Sequence, residues 1–132
     1  MNRYLRGFNR MKCLLLALAV WVVAAEPTQA GWLGFRNDLT IPVVVRSNIV
    51  VNNQIKPGKT FVLYSGEISW DAILQPGVRQ IVIVDFKKQN RVLFQDNIPV
   101  GNDMFYSIQM DNANKVKIVP TKMPMPPKKP GK

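Results

Sequence analysis

The sequence predicts an all-β fold: a small antiparallel β-sandwich, immunoglobulin-like or jelly-roll-like, with seven to nine short strands. Two observations predict it. Turn-forming pairs such as Asn52-Asn53 and Pro76-Gly77 recur along the chain at intervals too short for helices between them. Between these turns, apolar and polar residues alternate, which is the pattern of a strand with one buried face.

The individual strands follow from the positions of the turns and from this alternation. The predicted strands span residues 33–37, 42–46, 48–51, 60–64, 68–74, 79–85, 92–95, 104–110 and 115–119. The segments 43–45 and 81–84 are continuously apolar and β-branched, so we expect both to be covered on two sides near the middle of a sheet.

The core prediction takes the apolar side of each alternating segment. In residues 68–74, Trp70 shares its face with Ile68 and Leu74, so we expect that face to be buried. The predicted core comprises Phe35, Phe61, Leu63, Trp70, Leu74, Ile81, Ile83, Phe94, Tyr106, Ile108, Val116 and Ile118.

The composition of residues 1–30 predicts a cleaved secretory signal peptide. Residues 1–12 contain four basic residues and no acidic one, and the run 13–25 (CLLLALAVWVVAA) is apolar throughout. Glu26 and Pro27 end this run well short of the roughly 20 apolar residues that a membrane-spanning helix needs. The sequence therefore predicts a protein that is secreted, periplasmic or located at the cell surface.

The predicted cleavage point lies after Ala30, because Gly31 then begins the first strand. Small residues also favour cleavage after Ala25, which is the alternative. Both Met1 and Met11 are followed by a basic and apolar signal pattern, so the sequence leaves two translation starts open.

Residues 120–132 predict a disordered, basic, proline-rich tail after a sandwich domain of residues 31–119. The segment PTKMPMPPKKPGK contains five prolines, four lysines and no acidic residue. Because such a composition does not support sheet pairing or a core, we expect it to be extended and solvated. Lysines on an extended chain attract anionic surfaces. We expect this attraction from Lys122, Lys128, Lys129 and Lys132.

The side-chain inventory argues against an enzyme. The chain has no histidine, and its one cysteine, Cys13, lies in the predicted signal, so imidazole and thiol mechanisms and His-ligated metal sites are excluded. We expect no catalytic residue, no cofactor and no metal. The alternative is a carboxylate-dependent hydrolase acting on an envelope polysaccharide. Its candidate groups are Glu67, Asp71, Asp85, Asp96, Asp103 and Asp111, most of them beside turn residues where aspartate bonds the local backbone.

Trp32 is the aromatic side chain that we expect to be available for binding, since it lies just after the predicted cleavage point. The basic residues of 31–119 are dispersed, and an exported protein does not meet nucleic acid, so no nucleic-acid partner is expected. The sequence predicts a non-enzymatic binding or structural module of the cell envelope. Its expected partner is an anionic envelope surface, with which a peripheral membrane contact is compatible, or another envelope protein. Neither the ligand nor the oligomeric state follows from the sequence.

Overall fold

The computed structural model describes residues 30–127, which form a β-sandwich of eight strands in two four-stranded sheets. The strands are β1 (Gly31–Asn37), β2 (Val43–Val51), β3 (Gln54–Leu63), β4 (Ile68–Ile73), β5 (Gly77–Asp85), β6 (Val92–Val100), β7 (Met104–Met110) and β8 (Val116–Pro120). Within residues 30–127, no helix is long and apolar enough to cross a membrane. The predicted signal peptide before Ala30 lies outside the described residues, as do Lys128, Lys129 and Lys132.

The strand order confirms a sandwich and corrects its details. Sheet A has the order β4-β1-β7-β8, and sheet B has the order β3-β2-β5-β6. Five of the six ladders between the described strands are antiparallel, as predicted, but β1 and β7 run parallel, with Leu33 opposite Met104. β1 and β2 lie in different sheets, whereas the first two strands of an immunoglobulin domain share one sheet.

Two predicted boundaries in sheet B are wrong because of a β-bulge. The strands predicted at 42–46 and 48–51 form one strand, β2, and the strand predicted at 60–64 begins earlier, at Gln54, as β3. The pairing of β2 with β3 shifts register between Ser47 and Ile49, beside Gly58. A Cβ atom on Gly58 would lie 1.9 Å from the Ser47 carbonyl oxygen, so only glycine fits there.

The core lies between the two sheets. Six residues of the predicted core are buried: Phe35, Leu63, Ile81, Ile83, Tyr106 and Ile108. Four more are partly buried against the same cluster: Phe61, Phe94, Val116 and Ile118. The prediction for the continuously apolar segments is also confirmed, because β2 and β5 are the central strands of sheet B. Val44, Val82 and Val84 form a second buried cluster on the outer face of that sheet, with Phe86 against it.

The prediction that Trp70 and Leu74 belong to the core is wrong. Asp71 and Ile73 are the buried residues of β4, and Ile73 belongs to the cluster between the sheets. Because side chains alternate along a strand, Ile68 and Trp70 lie on the outer face of sheet A. Leu74 follows the strand and is 64% exposed. A period of two identifies the strand but does not say which of its faces is covered.

The strand directions give the sandwich two distinct ends. At the end that we call the entry end, β1 begins, β8 ends, and the loops 52–53, 74–76 and 101–103 connect the strands. At the opposite end lie the loops 38–42, 64–67, 86–91 and 111–115. The predicted tail therefore follows a strand that ends at the entry end.

Candidate functional site

A pocket of about 410 Å³ opens at the entry end, between the end of β2 and the 74–76 loop. Three apolar residues that line it, here called the apolar rim, are substantially exposed: Val51 at 42%, Leu74 at 64% and Val78 at 38%. These three side chains form a small exposed apolar surface at this opening.

The turn beside Val51 holds this surface in a defined shape. Asn52 and Asn53, which connect β2 to β3, have φ angles of 51° and 61°. Positive φ at both central residues is the requirement of a type I′ hairpin turn, and asparagine adopts it more readily than most residues. The sequence signal for a turn was therefore correct here, and the hairpin fixes one side of the pocket.

Arg79, which lines the same pocket, forms a buried ion pair that joins the two sheets. Arg79 of β5 donates from Nη1 to the Asp71 Oδ2 atom of β4 over 3.1 Å, and the two side chains are 9% and 11% exposed. The same nitrogen lies 3.5 Å from the Ser47 hydroxyl oxygen. Because either charge alone would be buried without compensation, the pair acts structurally. The Asp71 carboxylate is therefore held in its ion pair with Arg79.

Trp32 lies in β1 on the outer face of sheet A and is partly exposed. Its backbone N–H donates to the Asp103 carboxylate over 2.8 Å. The indole nitrogen is buried and has no hydrogen-bond acceptor among residues 30–127. The structure thus places the predicted binding tryptophan at the beginning of β1, beside the one carboxylate in the three entry-end loops.

The outer face of sheet A also carries an aromatic pair that the sequence analysis missed. The rings of Trp70 and Phe105 lie 5.4 Å apart between centroids, on opposite sides of Gly34 in β1. A Cβ atom on Gly34 would lie 2.5 Å from the Trp70 ring and 2.7 Å from the Phe105 ring. The Arg36 guanidinium lies 5.9 Å from the centroid of Phe105. A glycine inside a strand, which marks a close approach, was the available signal.

A second missed feature is a polar network around Asp38, which was absent from the predicted carboxylate candidates. Arg36 donates to both Asp38 oxygens, with its Nε atom 2.8 Å from Oδ1. The Ser107 hydroxyl also donates to Asp38, and Gln109 donates to the Ser107 oxygen over 3.0 Å. The hydrogen bond from Arg36, helped by that from Ser107, lowers the pKa of the Asp38 carboxyl. An ionised carboxylate held in this way is a weak base, and the network instead ties the 38–42 loop to β7.

Three further carboxylates accept hydrogen bonds from the nearby backbone: Asp85 and Asp111 beside loops, as aspartate does at turns, and Asp96 within β6. Asp85 and Asp96 each accept one such bond. Asp111 accepts bonds from the backbone N–H groups of Lys115 and Ala113, and these lower the pKa of its carboxyl. Among residues 30–127, no three or more Asp, Glu, His or Cys side chains come together to form a metal site.

The first part of the predicted tail continues from β8 along β7. Pro120 ends β8, and the backbone N–H of Thr121 donates to the Phe105 carbonyl oxygen over 3.0 Å. Residues 121–127 contain no helix or strand, and Lys122 is exposed. Three residues of this segment are partly buried: Met123, Pro124 and Pro126. The lysines therefore begin within two residues of the last strand.

Comparison with known proteins gives no family assignment. No protein-family model matches the chain. No curated protein matches its sequence.

Proposed function

We propose that the protein is an exported, non-enzymatic β-sandwich that binds an anionic surface of the cell envelope through its basic tail. The observation that carries the proposal is the position of Lys122, which is exposed and lies two residues after the end of β8 at the entry end. The other three lysines, Lys128, Lys129 and Lys132, follow it in the sequence, and residues 120–132 contain no acidic residue. Lysines near an anionic surface contribute about 1 kcal/mol each at low ionic strength.

The distribution of the carboxylates supports binding of the anionic surface at the entry end of the sandwich. Residues 31–119 contain seven carboxylates, and four of them lie at the opposite end. These four are Asp38, Glu67, Asp85 and Asp111. In the three loops of the entry end, the one carboxylate is Asp103. An anionic surface approaching the entry end therefore meets Lys122 and little negative charge, whereas at the opposite end the four carboxylates share the surface with Lys87, Lys88, Arg91 and Lys115.

The hydrogen bonds and ion pairs of the carboxylates give no specific support to the alternative, a carboxylate-dependent hydrolase. A glycosidase needs two carboxyl groups that face one bond, one of them free to give or take a proton. Asp71 is paired with Arg79, and Asp38 is paired with Arg36. A glycosidase screen of the purified protein remains the direct check, and turnover abolished by one carboxylate substitution would contradict the proposal.

The test replaces the four tail lysines and measures binding to vesicles. The variant carries K122Q, K128Q, K129Q and K132Q, and the vesicles contain roughly two parts phosphatidylcholine to one part phosphatidylglycerol. We expect at low salt a loss of affinity of more than about tenfold, since four charge contacts disappear. Raising salt to about 0.5 M, where the Debye length is roughly 4 Å, should weaken the unchanged protein similarly.

A matched control removes four positive charges from the opposite end. It carries K87Q, K88Q, R91Q and K115Q. If binding were a response to net charge alone, both variants would lose the same affinity, and the role of the tail would be refuted. Equal melting temperatures of the variants and the unchanged protein would show that the losses do not come from unfolding.

A further inference from the structure

The outer face of sheet B carries apolar residues in rows that run across its four strands. Strand pairing places one valine from each strand side by side near the opposite end, and these four are here called the valine row: Val62, Val44, Val84 and Val92. Nearer the entry end, a second row, here called the entry row, also takes one apolar residue from each strand: Ile55, Val50, Val78 and Pro99.

Two residues of each row are substantially exposed. In the valine row, Val62 is 38% and Val92 is 53% exposed. In the entry row, Ile55 is 54% and Val78 is 38% exposed. The eight strands of residues 30–127 all belong to the two sheets, so no further strand among them covers this face. Contact with a second apolar surface would take these side chains out of water, which is favourable.

The middle of the face, between the two rows, is polar and has little charge. Asn48, Gln80 and Asn97 lie side by side in β2, β5 and β6, and the Asn48 amide donates to the Gln80 side-chain oxygen over 3.2 Å. Among the outward-facing residues of sheet B between the two rows, the one charged side chain is Arg46. Since an amide both donates and accepts hydrogen bonds, such a row is able to bond to a copy of itself.

The two loops beside the valine row carry opposite charges. Loop 64–67, which follows the edge strand β3, contains the exposed Glu67, whose carboxylate accepts a long hydrogen bond of 3.4 Å from the backbone of its own loop. Loop 86–91, which joins β5 to the edge strand β6, contains three exposed positive charges, Lys87, Lys88 and Arg91, against one negative charge at the end of β5, Asp85. The two loops therefore lie at the same end of the sandwich, on opposite sides of sheet B.

We propose that two copies of the chain form a dimer through the outer faces of sheet B, related by a twofold axis parallel to the strands. This axis lays β3 of one copy over β6 of the other, so each apolar row meets its own copy. Glu67 of each chain then faces the positive 86–91 loop of the second chain, at both sides of the interface. Two sheets that pack face to face usually keep their strands within about 30° of each other, as this axis allows.

The charges of the loops select this axis from the other one that is possible. A twofold axis across the strands would also bring apolar residues together, since the valine row would then meet the entry row. It would, however, place Glu67 against loop 52–53, which has no charged residue. Only the axis parallel to the strands pairs opposite charges, and it does so twice.

The size of the face agrees with that of a specific dimer interface. Four strands and four rows of side chains make a surface roughly 19 Å wide and 26 Å long, which is on the order of 500 Å² in projection. The accessible area of a corrugated side-chain surface exceeds its projection, and the two charged loops extend it. It therefore approaches the roughly 800 Å² per partner that a specific interface buries.

The first test measures the mass of the purified full-length protein in solution by sedimentation equilibrium over a range of concentrations. We expect the unchanged protein to reach twice the mass of one chain. Val92→Glu places a carboxylate in the valine row and should weaken the dimer by at least about tenfold, because an apolar contact is lost and a charge is buried. Val62→Glu, in the strand that β6 of the second copy covers, is the second variant and should act in the same way.

The matched control is Ile68→Glu, which adds the same charge to a side chain that is 41% exposed, in an edge strand on the outer face of sheet A. It should change the dissociation constant by less than about twofold, since sheet A lies outside the proposed interface. Melting curves must show that each variant is folded. A single-chain mass for the unchanged protein at every concentration, or equal losses in Val92→Glu and Ile68→Glu, would overturn the dimer.

A charge reversal tests the axis. Glu67→Lys places positive charge opposite the 86–91 loop and should weaken the dimer about tenfold at low salt, since attraction becomes repulsion at both sides. Adding Lys87→Glu and Lys88→Glu to this variant restores opposite charges and should recover most of the affinity. Loss without recovery, or no effect of Glu67→Lys, would refute the proposed arrangement. Neither the tail nor vesicles enter these measurements, so failure of the dimer would leave the proposed function standing.

Discussion

Gly34 determines how the outer face of sheet A packs, because the rings of Trp70 and Phe105 occupy the space beside its Cα atom. The Gly34→Ala substitution would place a methyl group 2.5 Å from the Trp70 ring and 2.7 Å from the Phe105 ring. One or both rings must then move. We expect a loss of about 1–3 kcal/mol in the free energy of unfolding, which is typical of overpacking, measured by chemical denaturation.

Gly77→Ala is the control for this substitution. No atom lies within 4 Å of the position that its Cβ would take, and its backbone does not need positive φ. We expect a change within about 0.5 kcal/mol. Equal losses of unfolding free energy at Gly34 and Gly77 would mean that replacing any strand glycine has this effect. The packing of Trp70 against Phe105 would then not require a glycine at position 34.

Asp38 gives a prediction about pH. Because Arg36 and Ser107 lower the pKa of its carboxyl in the folded protein, the ionised form stabilises the fold above the pKa of the unfolded chain. This contribution is lost as the pH falls through the lower, folded-state pKa. The side chains of Asp38 and Arg36 are 31% and 35% exposed, so solvent screening limits the effect.

The corresponding measurement compares the unchanged protein with Asp38→Asn in denaturation series at several pH values. We expect the variant to be less stable at neutral pH by on the order of 0.5–1 kcal/mol, and the difference to shrink as the pH falls below the ordinary aspartate pKa of about 3.9 and through the lower pKa of the folded protein. Asp96→Asn removes an exposed carboxylate from β6 and controls for the loss of one negative charge. A difference for Asp38→Asn that persists unchanged in acid would show that the charge of Asp38 contributes nothing.

At the scale of the element, the bulge in β3 depends on Gly58. Its Cα atom approaches the Ser47 carbonyl oxygen so closely that a Cβ atom would lie 1.9 Å from it, and that oxygen belongs to the backbone of a central strand. We expect Gly58→Ala to reduce the free energy of unfolding by about 3 kcal/mol or more, since backbone rather than a flexible side chain must move. Gly101→Ala, whose Cβ would meet Pro76 at an ordinary 3.7 Å, is the control. A similar small loss at both positions would show that β2 and β3 tolerate another register.

The strands show how far local sequence patterns determine this fold. The continuously apolar segments at 43–45 and 81–84 lie in the central strands of sheet B. A strand that is buried on both faces needs apolar side chains at successive positions, and this is the pattern that the sequence shows. In β4, both faces carry a large apolar side chain: Trp70 on one face and Ile73 on the other. The partner of Asp71 is Arg79 in the other sheet, and a pairing between sheets leaves no local signal. The orientation of β4 therefore depended on tertiary contacts.

The candidate site was predictable in its charged part and not in its apolar part. The lysines of the tail follow from composition alone. The rim needs the topology, because Val51, Leu74 and Val78 come from the end of β2, the 74–76 loop and the start of β5. In the sequence, Leu74 continues an apolar alternation, which predicts it in the core. Only the assembled sandwich brings the three side chains to one opening.

At the scale of the whole molecule, the first described residue, Ala30, bears on where the mature chain begins. Ala30 is partly buried against the main core cluster, and its N–H donates to the Ile73 carbonyl oxygen over 2.7 Å. Cleavage after Ala30, which the sequence predicts, would remove both contacts. Cleavage after Ala25, the alternative, would keep them.

We therefore expect a chain that begins at Glu26 to be more stable than one that begins at Gly31 by about 1 kcal/mol, the net contribution of one hydrogen bond. Denaturation of the two purified forms measures the difference, and the intact mass of the exported protein shows which form export produces.

An Ala30→Gly variant of the longer chain is the control, since it keeps the N–H donor and removes only the methyl group. Equal stability of the two forms would mean that the hydrogen bond from Ala30 to Ile73 contributes nothing to the stability of the sandwich. A mature start at Gly31 with the expected lower stability would mean that the specificity of the peptidase, and not the stability of the sandwich, sets the N-terminus.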